Sequence, residues 1–158
     1  MRDYKGITEK IREQTGATFR HATSEELRQL RALGLPESVL SFYAAFAPVA
    51  QIEGQVMILT IEGLLAENKD FGPGYIVAPH GYIAFADGCC DDPYCFDTKH
   101  VNAEGEPRIV LFSHDMVSAG DTPERLARVA KPVAEHLGEF LEHFTEDRID
   151  DECIYLNS

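Results

Sequence analysis

Residues 82–97 constrain the fold more than any other stretch. Tyr82, Ile83, Ala84, Phe85 and Ala86 form one apolar run, and Tyr94, Cys95 and Phe96 form a second. A short loop carrying Asp87, Gly88, Asp91, Asp92 and Pro93 separates them. A parallel crossover needs a dozen or more residues, normally a helix, so a link this short predicts an antiparallel hairpin. Residues 75–77 and 108–112 are further apolar or aromatic runs between loops of Gly, Asp, Asn or Pro, and they predict more strands. Val56, Met57, Ile58, Leu59, Thr60 and Ile61 are nearly continuous in apolar character, as a well-buried strand is. A short helical turn through Leu64 and Leu65 is expected after them, and Gly72, Pro73 and Gly74 predict a turn.

Both flanks of this region change period. Tyr4, Ile7 and Ile11 fall at helical spacing, with Gly16 as the stop. Thr23 with Glu26 three residues later is a capping-box signature for a second helix, which runs through Leu27, Leu30 and Leu33 to Gly34. Pro36 opens a third helix through Val39, Leu40, Tyr43 and Phe46, ended by Pro48. Near the C-terminus, Val133, Leu137, Phe140, Leu141 and Phe144 form one apolar stripe. Pro132 disfavours helical geometry at Lys131, so a kink or fresh start is expected there, after a looser turn through residues 122–130. Helices, then strands, then a helix is the order of an α+β domain with a mainly antiparallel sheet. At 158 residues and 17.6 kDa, the chain is expected to be a single domain over 1–158, with 145–158 an acidic tail in which Ile154, Tyr155 and Leu156 pack back or fray.

Charge narrows the function classes. The chain has 14 Lys and Arg against 27 Asp and Glu, a net of −13, and residues 32–158 alone carry −15. Such a field repels phosphate backbones, so no nucleic-acid partner is expected. It speeds encounters with a basic surface, to a degree that falls with added salt. No apolar run approaches the roughly 18 residues of a membrane span, and the first fifteen residues lack a secretory pattern. A cytoplasmic protein with no membrane partner is expected. Cys89, Cys90, Cys95 and Cys153 are too few for a disulfide scaffold in a chain of this length, and reduced thiols are the simpler expectation.

Asp87, Asp91, Asp92 and Asp97 crowd into the hairpin, and like charges this close are kept where something uses them or solvent screens them. Their spacing does not follow the calcium-loop pattern. No C-x-x-C pair accompanies the thiols as zinc would require, so no metal or other cofactor is expected. A Cys with His114 and Asp115 can be written as a triad, but no nucleophile elbow, phosphate loop or paired-His motif accompanies it, and no catalytic residue is expected. The alternative left open is a small metal-dependent or Cys/His hydrolase using residues 87–97 and His114.

Several of these segments resemble the SUKH superfamily, which includes bacterial immunity proteins and a fungal cell-wall synthesis regulator. The run from Leu33 and Gly34 through Leu35, Pro36 and the amphipathic stretch to Tyr43 is similar to the family's opening. Residues 83–97 look like its strand, Asp-Gly turn, strand and Asp hairpin, with Cys90 where the family has a glycine. Residues 107–115 resemble its next strand with a trailing His and acid, and Gly138, Glu139, Phe140 and Leu141 resemble its final helix. The likeness covers about residues 24–144. It implies an α+β domain with a twisted sheet backed by helices, and a non-enzymatic protein-binding role. Most often that role is neutralising a toxin domain of nuclease or deaminase type. On that basis Asp87, Asp91, Asp92 and Asp97, with Tyr94 as an aromatic anchor, are expected to form part of an acidic face that binds a cognate basic toxin domain.

Overall fold

The computed structural model describes residues 2–70 and 72–149. It is an α+β fold built on a six-stranded, wholly antiparallel sheet. Three helices come first: α1 (Lys5–Thr15), α2 (Ser24–Ala32) and α3 (Glu37–Phe46). The predicted capping box starts α2. The Glu26 N–H donates to Thr23 Oγ1 at 3.1 Å, and the Thr23 N–H donates to Glu26 Oε1 at 2.9 Å. A small antiparallel pair, β1 (Phe19–Arg20) with β2 (Ala47–Pro48), closes this N-terminal layer.

The main sheet runs β3 (Ile52–Glu53), β4 (Met57–Ile58), β5 (Tyr82–Asp87), β6 (Pro93–Val101), β7 (Pro107–Leu111) and β8 (Lys131–Ala134), in sequence order. Helices α4 (Ile61–Asp70) and α5 (Gly72–Val77) fall between β4 and β5; α6 (Pro123–Val129) precedes β8, and α7 (Leu137–Thr145) follows it. Among the described residues no helix is long and apolar enough to cross a membrane.

Four expectations need correction. The strand foreseen over 56–61 shrinks to two residues, because the Thr60 hydroxyl accepts the Gly63 N–H at 3.0 Å and the chain is helical from Ile61. Helix α4 then extends well beyond the short turn foreseen at Leu64 and Leu65. Residues 72–77 are helical, not a turn and a strand. Pro73 lies in the first turn, where its missing N–H breaks no bond, and a short apolar run does not by itself distinguish the two states. Val133 lies in an edge strand, not on the last helix. Pro132 is tolerated there because β8 has a partner on one side only. The foreseen positions of Ile154, Tyr155 and Leu156 lie outside the described residues.

Both faces of the sheet are covered. Ile83, Phe85, Tyr94, Phe96, Ile109 and Leu111 share one core with residues of α1, α3, α4 and α7, and Phe85 stacks on Phe96 with centroids 4.3 Å apart. Tyr82, Ala84, Cys95, Val110 and Phe112 share a second core with Val77 of α5 and Leu126 of α6. Strict alternation would place Ala86 with the second core and Asp87 with the first. A register shift between Ala84 and Ala86 reverses this, so Ala86 joins the larger core and Asp87 is kept out of it.

One buried polar side chain ties α4 to the sheet. The Asn68 Nδ2–H donates to the carbonyls of Leu64 and Ala84, each at 2.8 Å, and Asn68 Oδ1 accepts the Ala84 N–H at 2.9 Å.

Candidate functional site

The β5–β6 hairpin turns through a tight 3-10 segment, Cys89–Asp91, in which Cys90 and Asp91 both adopt left-handed backbone, with φ of 61° and 62°. Left-handed geometry suits glycine and strains other residues. Cys90 therefore occupies a conformation that suits glycine.

Beside this turn opens a cleft of about 460 Å³, lined by Glu67, Gly72, Pro73, Asp87, Cys90, Asp91 and His114. Three carboxylates reach it from three separate elements: Glu67 from α4, Asp87 from the end of β5 and Asp91 from the turn. Burial raises the Glu67 carboxyl to about 7, with the charges of Asp87 and Asp91 adding to the effect. Burial raises Asp87 to about 6, again with a contribution from Asp91. Among the described residues Asp87 Oδ1 is buried without a hydrogen-bond partner. Beneath them the Cys95 thiol is pushed up by its burial and by the charges of Asp87, Glu67 and Asp97.

This group differs from Glu106, Glu26 and Asp121, acids withdrawn from solvent that are each paired with an arginine. Glu106 accepts Arg2 Nε–H at 2.7 Å, Glu26 accepts Arg20 at 2.7 Å, and Asp121 accepts Arg125 at 3.1 Å. Among the described residues no ion pair engages Glu67, Asp87 or Asp91.

The five residues anticipated as a binding face divide by burial. Asp91 is exposed and Asp87 half-buried, and both line the cleft. Asp92, Tyr94 and Asp97 are buried, at 0%, 0% and 2% exposure. Tyr94 packs near Phe140 with ring centroids 5.5 Å apart. Asp97 accepts Arg108 Nε–H at 3.0 Å and the Lys99 N–H at 3.2 Å. Asp92 accepts from His114, whose Nε2 lies 3.1 Å from Asp115. These hydrogen bonds and neighbouring carboxylates raise the His114 pKa, the bond to Asp92 most of all.

Glu67 was not foreseen as part of the site. It is twenty positions from Asp87, on a helix whose extent the sequence pattern understates, and only the α4–β5 packing brings the two together. The thiols also depart from expectation, since Cys89 is disulfide-bonded while Cys90 and Cys95 are free. Among the described residues no group of three or more His, Cys, Asp or Glu has a geometry suited to a metal ion.

Residues 21–143 match the sequence model of the SMI1 / KNR4 family (SUKH-1). No individually curated protein matches the chain.

Proposed function

The chain belongs to the SMI1 / KNR4 family (SUKH-1), and on that footing we propose that it is a non-enzymatic binding module of the immunity type. It acts in the cytoplasm and neutralises a toxin domain of nuclease or deaminase class. Enzymes of those classes hold phosphate backbones in basic clefts, and a negatively charged protein face competes for the same surface. The observation that carries this reading is the unpaired carboxylate set of Glu67, Asp87 and Asp91 on one open cleft. Glu26, Glu106 and Asp121, by contrast, have basic partners of their own. Asp91 is the exposed point of contact and Asp87 extends the negative potential into the cleft. Asp92, Tyr94 and Asp97 hold the turn from below.

The test is co-expression with a toxin domain of nuclease or deaminase class, taken from the neighbouring gene where that gene encodes a large secreted protein. This chain should restore growth and co-purify with that domain. Growth arrest despite full expression of both would refute the proposal.

A hydrolase using Cys90 and His114 has one observation in its favour, since both residues line the cleft and buried Asp92 orients the imidazole. Against it, His114 Nε2 faces Asp115, and among the described residues no hydrogen bond joins Cys90 to His114. Cys90→Ser should leave protection intact; its loss would favour the hydrolase.

A further inference from the structure

We propose that Glu67, Asp87 and Asp91 form a proton-sensitive latch between the α4–α5 corner and the β5–β6 turn, closed while the cluster holds a proton and loosened when all three carboxylates are ionised. This device is a property of the free chain and does not depend on the identity of a partner.

The geometry joins the cluster to two pieces of backbone. Helix α5 is seated on Glu67, since a Cβ at Gly74 would lie 2.9 Å from both the Glu67 Cγ and its carbonyl oxygen. With so little space between them, a displacement of the Glu67 side chain is felt at the start of α5. On the opposite side, Asp91 belongs to a turn already held in left-handed backbone, which has little conformational energy to lose by opening. Asp87 sits between them with one oxygen buried and undonated. Repulsion among the three has no internal relief, because among the described residues no Lys or Arg pairs with any of them.

The other titratable groups around the cluster supply little of that relief. From β6 comes the Cys95 thiol, neutral through its burial. From beyond β7 comes His114, whose two ring nitrogens are engaged by Asp92 and Asp115 and whose positive charge attracts Asp91 less than it attracts either of these. Asp92 itself is committed to His114, and α5 contributes Gly72, Pro73 and Gly74, which do not titrate. The proton affinities of Glu67 and Asp87, at about 7 and about 6 against ordinary values of 4.5 and 3.8, agree with this frustration. The closed form binds more protons than the open form between those limits, so opening becomes more favourable as pH rises through that window.

Hydrogen exchange on the full chain at pH 5.5 and pH 8, corrected for intrinsic exchange, tests the latch. Protection over residues 72–77 and 87–92 should fall by about tenfold or more at the higher pH, while residues 94–97 of β6 stay unchanged. Glu67→Gln should retain the pH 5.5 protection at pH 8. Asp91→Asn, altering only an exposed side chain, should recover part of it. Equal protection at both pH values, or loss at pH 8 in Glu67→Gln as large as in the parent, would overturn the proposal.

Discussion

A single oxygen of Asp92 accepts two hydrogen bonds from His114: Oδ1 takes the backbone N–H at 2.8 Å and the ring Nδ1–H at 2.7 Å. The carboxylate is fully buried and the imidazole partly exposed, so a charge-assisted contact anchored from below joins the turn after β5 to the chain beyond β7.

Asp92→Asn should bring the His114 titration midpoint down toward its ordinary value, read by proton NMR of the imidazole. Because the folded-state value is raised, the ionic part of this contact is fully present below the unfolded value of 6.5 and is lost as pH rises through the folded one. The substitution should therefore cost more at pH 6, about 1–3 kcal/mol by urea unfolding, than at pH 9. An unmoved midpoint would show that Asp92 does not govern the ring.

Arg108→Ala should be among the most damaging single changes in the sheet. It strands the Asp97 carboxylate, which is 2% exposed and, among the described residues, otherwise accepts only the Lys99 N–H. Breaking such a pair from one side costs about 3 kcal/mol. Thermal unfolding reads the loss, and Asp97→Asn with Arg108→Met together should recover part of it, since neither charge then remains unpaired.

Cys90→Gly should stabilise the chain by about 1 kcal/mol, because the residue sits at φ 61° and glycine removes the steric cost there. Thermal unfolding under reducing and non-reducing conditions gives the measurement. A lower melting temperature in both would mean that the thiol makes a contact worth more than the strain.

Asp91→Asn should weaken capture of the toxin domain and flatten the dependence of its affinity on salt, without lowering the unfolding midpoint. Titration calorimetry at two ionic strengths reads both quantities. An unaltered salt slope would place the interface away from the cleft.

The hairpin was legible because a loop too short for a crossover permits little else, and the capping box because Thr23 and Glu26 bond locally. What alternation does not disclose is whether both faces of a strand are covered. Tyr82, Ala84 and Cys95 lie on a face that α5 and α6 bury, so the sheet has no solvated side on which its acids could gather. Asp92 and Asp97 accordingly turn inward to His114 and Arg108, and Tyr94 meets Phe140. The bulge that redirects Asp87 has no signature in the apolar pattern either. Glu67 joins the cleft through a helix whose start is set by one Thr60 hydrogen bond.

The Asn68 amide also guards against unwanted assembly. By meeting the N–H and carbonyl of Ala84 together, it does what one residue of an incoming strand would do. It does so beyond the point where β4, paired only to Ala86 and Asp87, has ended. An opening in the hydrogen-bonding rim at which a second molecule could template itself is thereby closed from within.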